Sequence, residues 1–241
     1  MTESAPLEIL NINAGRVLAV VAHPDDLEYG AAAAVARWTD EGSEVVYVLA
    51  SRGEAGIDGM DPATAAPLRE AEQRAGGLHV GVEVVEFLGY PDGVIEYGTA
   101  LRRDIAAKIR EHRPDTLLLF NHREGWGQPG SYNSPDHRNV GSAALDAAGD
   151  AGNRWIFTDL ALEPHHVKRA LVSGSPQARH AIEVGASAVD RAVESLREHR
   201  AYLDGLGDHA MADPEVVRMH LETAGVRAGV GAAVAFEVFS F

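Results

Sequence analysis

The sequence predicts a three-layer α/β sandwich on a mostly parallel sheet, and three observations carry that expectation. Short apolar runs recur at strand length: Val17-Leu18-Ala19-Val20-Val21, then Val45 to Leu49, then Leu117 to Phe120. A strand apolar on both faces is what a sheet covered by helices on both sides requires. Segments of helical character separate these runs, and such alternation gives right-handed βαβ units in a doubly wound sheet. At 241 residues and 46% hydrophobic content, the chain can bury one sizeable core.

In chain order, Arg16 to Ala22 reads as the first strand, and Glu28 to Glu41 as an Ala-rich helix that Gly42 ends. Glu44 to Ala50 is a second strand, followed by a Gly-rich loop from Ser51 to Gly59. A helix starts at Pro67 and runs through Ala75, with proline in its first turn. Val82 to Leu88 is a third strand, Thr99 to His112 a helix, and Thr116 to Asn121 a fourth strand. Glu124 to Asn133 is a loop, Pro135 to Ala148 a helix, and Val167 to Val172 a fifth strand. Ile182 to Leu203 carries a long helical pattern, and Ala232 to Phe241 alternates like a terminal strand. Residues 1–241 are expected to form a single domain, with the stretch from about 180 to 241 wrapping the same core.

The formal net charge of −15 argues against nucleic-acid and anionic-membrane partners, which share its sign. No apolar run reaches membrane-spanning length, and the N-terminus lacks a targeting pattern, so a cytoplasmic protein is the expectation. With no cysteine, disulfide and thiolate chemistry are excluded. No Lys-Ser/Thr pair follows Gly53, Gly56 and Gly59, and no Gly-x-Gly-x-x-Gly follows the first strand. Both absences count against a nucleotide.

The stretch carrying chemistry is Ala22-His23-Pro24-Asp25-Asp26-Leu27-Glu28, directly after the first strand. The carboxyl edge of an open α/β sheet is where ligands bind. One imidazole and two carboxylates there are costly to desolvate unless a cation or partners neutralise them. Helix capping explains one aspartate but not the histidine and the second aspartate. A divalent metal such as zinc explains all three, given one further ligand. Ser134-Pro135-Asp136-His137 follows the fourth strand and reaches the same edge, where His137 could complete the set. Taken alone, a histidine at a helix start is more often a surface residue. His165 and His166 precede the fifth strand, at the opposite edge, and read as structural or surface residues.

Together, His23-Pro24-Asp25-Asp26 and Pro135-Asp136-His137 before Gly141 resemble the LmbE/PIG-L-like zinc-dependent N-deacetylases. Ser51 to Gly56, Arg69 to Ala75 and Leu88 to Gly93 are also similar to segments of that family. The resemblance implies a Rossmann-like fold and hydrolysis of an N-acyl, usually N-acetyl, group from an amino-sugar conjugate. It implies one Zn2+ per chain, with Fe2+ or Co2+ chemically acceptable, and a homo-oligomer. His23, Asp26 and His137 match the zinc ligands, and Asp25 matches the base that takes a proton from zinc-bound water. Arg69 and Asp92 fall where family members contact substrate.

One position departs from the family pattern: Ser134 stands where a histidine usually stabilises the oxyanion and protonates the leaving amine. Serine is a weak general acid. Either His122 supplies the proton, or Tyr132 polarises the carbonyl while Asp25 shuttles the proton; these two readings are favoured jointly. The competing expectations are an amidase acting on a non-sugar or thiol-conjugate amide, and a metal-holding glycoside-binding protein with reduced catalysis.

Overall fold

The computed structural model describes residues 5–241; residues 1–4 of the expected domain lie outside the described residues. Eight strands form one sheet: β1 (Glu8–Ile9), β2 (Val17–Val21), β3 (Val45–Leu49), β4 (Val84–Phe87), β5 (Thr116–Phe120), β6 (Arg169–Ser173), β7 (His180–Glu183) and β8 (Ala233–Ser240). Their order is β1-β7-β8-β6-β5-β2-β3-β4. Neighbours are parallel except around β8, which lies antiparallel between β6 and β7. β2 sits between β3 and β5, so successive crossovers leave it in opposite directions. A crevice opens at such a switch point beyond the strands' carboxyl ends.

The helices are α1 (Asp26–Gly30), α2 (Ala32–Asp40), α3 (Pro62–His79), α4 (Thr99–His112), α5 (Pro135–Gly152), α6 (Ala186–Arg197), α7 (Arg200–Leu206) and α8 (Glu215–Ala228). They divide most of the core in two, beside a smaller cluster of Leu7, Ala178, Ala181, Ala224 and Ala233. Alternate residues of the strands face α2, α6 and α8 on one side, where Trp38 stacks on Phe236. The other residues face α4 and α5, where Ala143, Ala144, Ala147 and Ala151 let the helix lie close to Leu117 and Leu119. All five residues of β2 are buried. Burying a Val or Leu side chain contributes about 1.5–3 kcal/mol, so β2 is a firm platform for the turn that follows it.

Several predicted elements differ in the structure. The helix expected over Glu28 to Glu41 is two helices, broken at Ala31 (φ −149°, ψ 0°). The break lets α1 press against neighbouring strand ends: a Cβ on Gly30 would lie 2.7 Å from Ser173 Oγ and 2.9 Å from the Phe120 ring. The helix expected to start at Pro67 starts at Pro62, capped by Asp61 Oδ1 accepting from Ala63 N, and Pro67 lies inside it. The pattern over Ile182 to Leu203 contains the end of β7, then α6 and α7. α8 and β1 carry no counterpart among the predicted elements. No helix among the described residues is long and apolar enough to cross a membrane.

Candidate metal centre and its cleft

The turn after β2 and the start of α5 meet at the switch point. Asp26 closes the turn onto itself: its Oδ2 accepts from the N–H groups of Ala22 and His23, each at 3.0 Å. That leaves Oδ1 directed at His137 Nε2, 2.9 Å away. His23 Nδ1 lies 3.1 Å from the same Nε2. The far nitrogens of both rings are engaged. His137 Nδ1 donates to Asn133 Oδ1 at 2.9 Å, an oxygen identified because Asn133 Nδ2 donates to the carbonyls of Asn121 and Arg123. His23 Nε2 faces Asp136 at 3.2 Å and Asp92 at 3.1 Å.

Those outer contacts turn three lone-pair-bearing atoms into one space: His23 Nδ1, Asp26 Oδ1 and His137 Nε2. The arrangement calls for a proton or a cation at their centre. Two imidazoles and one carboxylate, with the outer ring N–H of each histidine held by a carboxylate or an amide oxygen, is the donor set that zinc takes. His23 is a strong proton acceptor: burial lowers its pKa, but the carboxylates of Asp136, Asp26 and Asp92, which accept from its ring, override that and raise it well above the ordinary value. Asp26 is held far below the usual carboxylate range by His137 and His23, although burial opposes them.

Asp25 lies beside the cluster with φ 83° and ψ −20°, a left-handed conformation rare for a residue other than glycine and worth about 1–2 kcal/mol of strain. Its Oδ2 accepts from Arg69 Nη2 at 2.6 Å, and its Oδ1 makes no hydrogen bond among the described residues. Burial raises its pKa to about 6, against the lowering effect of the Arg69 guanidinium. Asp25, Asp26 and His137 border a cleft of about 510 Å³ whose other walls include Tyr29, Trp126 and Tyr202.

The geometry places the four other residues singled out in the sequence, and it engages each of them away from the metal-facing atoms. Arg69 is 2% exposed and points inward, donating to Asp25, Pro24 O and Gly53 O while Tyr202 lies 4.4 Å over its guanidinium. It holds Asp25 from behind. Gly53 (φ 66°) admits it, since a Cβ there would lie 2.2 Å from Arg69 Nη1. Asp92 is likewise engaged from behind, accepting from Ala55 N at 2.8 Å and facing His23. His122 packs against Phe239 and Gly141, with Nδ1 buried and unpartnered. Tyr132 is 70% exposed, its hydroxyl bonded by Arg138 at 2.8 Å. The structure brings neither His122 nor Tyr132 to the cluster. Ser134 caps α5, its Oγ accepting from His137 N at 3.1 Å. His165 Nε2 donates to Pro114 O at 2.7 Å, in packing remote from the cleft.

Sequence reasoning missed Asp136 as a support of His23, fixed by the N–H groups of Gly93 and Ile95. Its place in Pro-Asp-His was a usable signal. It also missed Tyr202, His209 and His220, which line the cleft from the C-terminal third; no local pattern marks them.

Replacing Arg69 by methionine tests the buried pair. With side chains of 2% and 9% exposure, the lost partner leaves Asp25 buried and uncompensated, a loss of about 3–5 kcal/mol. Urea unfolding should show a midpoint well below that of the unaltered protein; an unchanged midpoint would mean that the pair adds nothing.

An α/β sheet with a two-histidine, one-carboxylate cluster at its switch point is the class that fold and site define. The chain matches the family model described as PIG-L, GlcNAc-PI de-N-acetylase, over residues 18–148, more than half its length, and belongs to that family. It is 30% identical over 158 residues to a diacetylchitobiose deacetylase of Thermococcus kodakarensis, a match covering 64% of this chain and 57% of that protein. It is 28% identical over 211 residues to a probable N-acetyl-alpha-D-glucosaminyl L-malate deacetylase 2 of Bacillus anthracis, covering 80% and 89% of the two chains. Among solved structures, the N,N'-diacetylchitobiose deacetylase of Pyrococcus horikoshii superposes with a TM-score of 0.82 at 21% identity, over 94% of this chain and 84% of that one. That likeness shows the fold.

Proposed function

We propose that the protein hydrolyses an N-acyl group, N-acetyl in the first instance, from a small amino-sugar conjugate. The observation that carries this reading is the free Oδ1 of Asp25, a buried carboxylate with its pKa raised to about 6, in one cleft with Asp26 and His137 of the His23–Asp26–His137 cluster. Deacetylases among the relatives support the acyl and sugar parts of the reading.

His23 Nδ1, Asp26 Oδ1 and His137 Nε2 would hold the cation, zinc by its donor set. When bound, it polarises a carbonyl and acidifies water. Asp25 Oδ1 takes the proton of the attacking water as the new C–O bond forms. The same oxygen then returns that proton to the amine nitrogen as the C–N bond breaks, yielding a carboxylic acid and an amine. A carboxyl raised to about 6 serves both directions near neutral pH, because neither transfer is steeply uphill. Arg69 holds Oδ2 throughout, so only Oδ1 moves protons. Asp136 and Asp92 keep the outer N–H of His23 in place, and Asn133 does the same for His137.

Elemental analysis of the purified protein, beside the Asp26→Ala/His137→Ala double variant, tests the reading together with acetate release from N-acetylated glycosides. One metal per chain, absent from the variant, with release that tracks metal content, is the expected result. Absence of bound metal even after zinc reconstitution would overturn it.

A further inference from the structure

The backbone of Asp25 is held as firmly as its side chain. Its N–H donates to Gln73 Oε1 at 3.0 Å. Gln73, in α3, is fully buried, and its Nε2 donates to Glu28 Oε1 at 3.0 Å. Ser195 Oγ in α6 lies 3.1 Å from that same oxygen. The second oxygen of Glu28 faces His199 Nε2 at 3.6 Å, and neither side chain is exposed to solvent. The helices are locked around this network: a Cβ on Gly76 would come within 3.0 Å of Ser195 O and 3.3 Å of His199 Nε2.

We propose that Gln73, anchored by Glu28, is a positioning residue that fixes the left-handed backbone of Asp25 and so aims Oδ1 at the attacking water and the departing amine. The chemistry of the three groups dictates the orientation. A backbone N–H can only donate, so Gln73 must present Oε1 to Asp25. Its amide then has donors at the other end, and the Glu28 carboxylate accepts there. Arg69 fixes the carboxylate end of Asp25 and Gln73 fixes the amide end. Two anchors in the same helix, one turn apart, therefore define where the base sits. This role rests on reading Asp25 as the base.

Two variants test it. Gln73→Met removes both polar ends at similar length. The double variant Gln73→Glu/Glu28→Gln reverses the polarity of the pair yet keeps an acceptor for Asp25 N–H. Misdirecting a reacting group by about 1 Å costs on the order of 100-fold, so Gln73→Met should lower kcat by about that factor, with KM and metal content little changed. The double variant should recover most of the loss. Hydrogen exchange of the Asp25 amide, followed by NMR, gives a readout that needs no turnover. It should accelerate about tenfold in Gln73→Met, as expected for one lost buried hydrogen bond, and slow again in the double variant. Unchanged exchange in Gln73→Met overturns the inference whatever the activity, and so does a double variant as impaired as the single. If the unaltered protein hydrolyses no N-acyl substrate, the hydrolase reading falls, while the exchange measurement still decides whether Gln73 holds the Asp25 backbone.

Discussion

Replacing Asp25 by asparagine should lower N-acyl hydrolysis by about 10³-fold, within the range set by general acid–base catalysis, while bound metal remains at one per chain. Asparagine is nearly isosteric, but its side chain has no site that can accept and return a proton at neutral pH. The metal should stay because Asp25 contributes no atom to the cluster formed by His23, Asp26 and His137. A second consequence follows from burial. Arg69 would lose its carboxylate partner inside the protein, so Asp25→Asn should also destabilise the fold by a few kcal/mol, about 3–5 for a broken buried pair. Combining Asp25→Asn with Arg69→Met should return part of that stability without returning activity. Kinetics and urea unfolding on the same three variants therefore separate the two roles of Asp25. Activity retained within tenfold in a metal-loaded Asp25→Asn protein would assign the base elsewhere, with His209 and His220 in the cleft as the next groups to alter.

The cluster was legible in the sequence because its parts are local. His23, Asp25 and Asp26 sit at the end of an apolar strand, and His137 opens a helix after another strand that pairs with the first. Strand ends in a parallel sheet share an edge, so the pattern alone brings these residues together. What surrounds the cluster was not legible, because periodicity states which face a residue occupies and not what it meets there. Arg69 and Asp92 were expected to face substrate, yet both turn inward to hold Asp25 and His23. Gln73, Ser195 and His199 meet Glu28 across 45, 167 and 171 positions of chain, and nothing local marks such a meeting. The fold shows the same limit. β7 is four residues long and runs almost directly into α6, so a helical window absorbed it. Next to the break at Ala31, Gly30 lies against Phe120 and Ser173, contacts supplied by distant strands.

Stripping the metal should make stability fall with rising pH, and zinc should abolish most of that dependence. The reason lies in two groups shifted in opposite directions. Asp26 is depressed, chiefly by His137 and then His23, against the effect of burial. Its contribution is therefore present above the ordinary carboxylate range and is lost only in strong acid. His23 is raised, because Asp136, Asp26 and Asp92 outweigh burial. Its contribution is complete below the ordinary imidazole value and disappears as pH climbs through the raised one. Together these two groups contribute most to the metal-free protein on the acid side of neutrality, where a second proton on His23 would occupy the space between Nδ1 and His137 Nε2, 3.1 Å apart. Once that proton leaves, the lone pairs oppose one another across the cluster. A divalent cation held by the cluster would take the place of the proton, so zinc affinity should rise with pH and each binding event should release protons. Thermal unfolding with and without a chelator, at about pH 6 and about pH 8.5, reads this directly through the linkage of stability to proton uptake. The gap between the two forms should widen at the higher pH. A gap independent of pH would show that His23 is not protonated in the metal-free protein, and that the cluster closes without a cation of any kind.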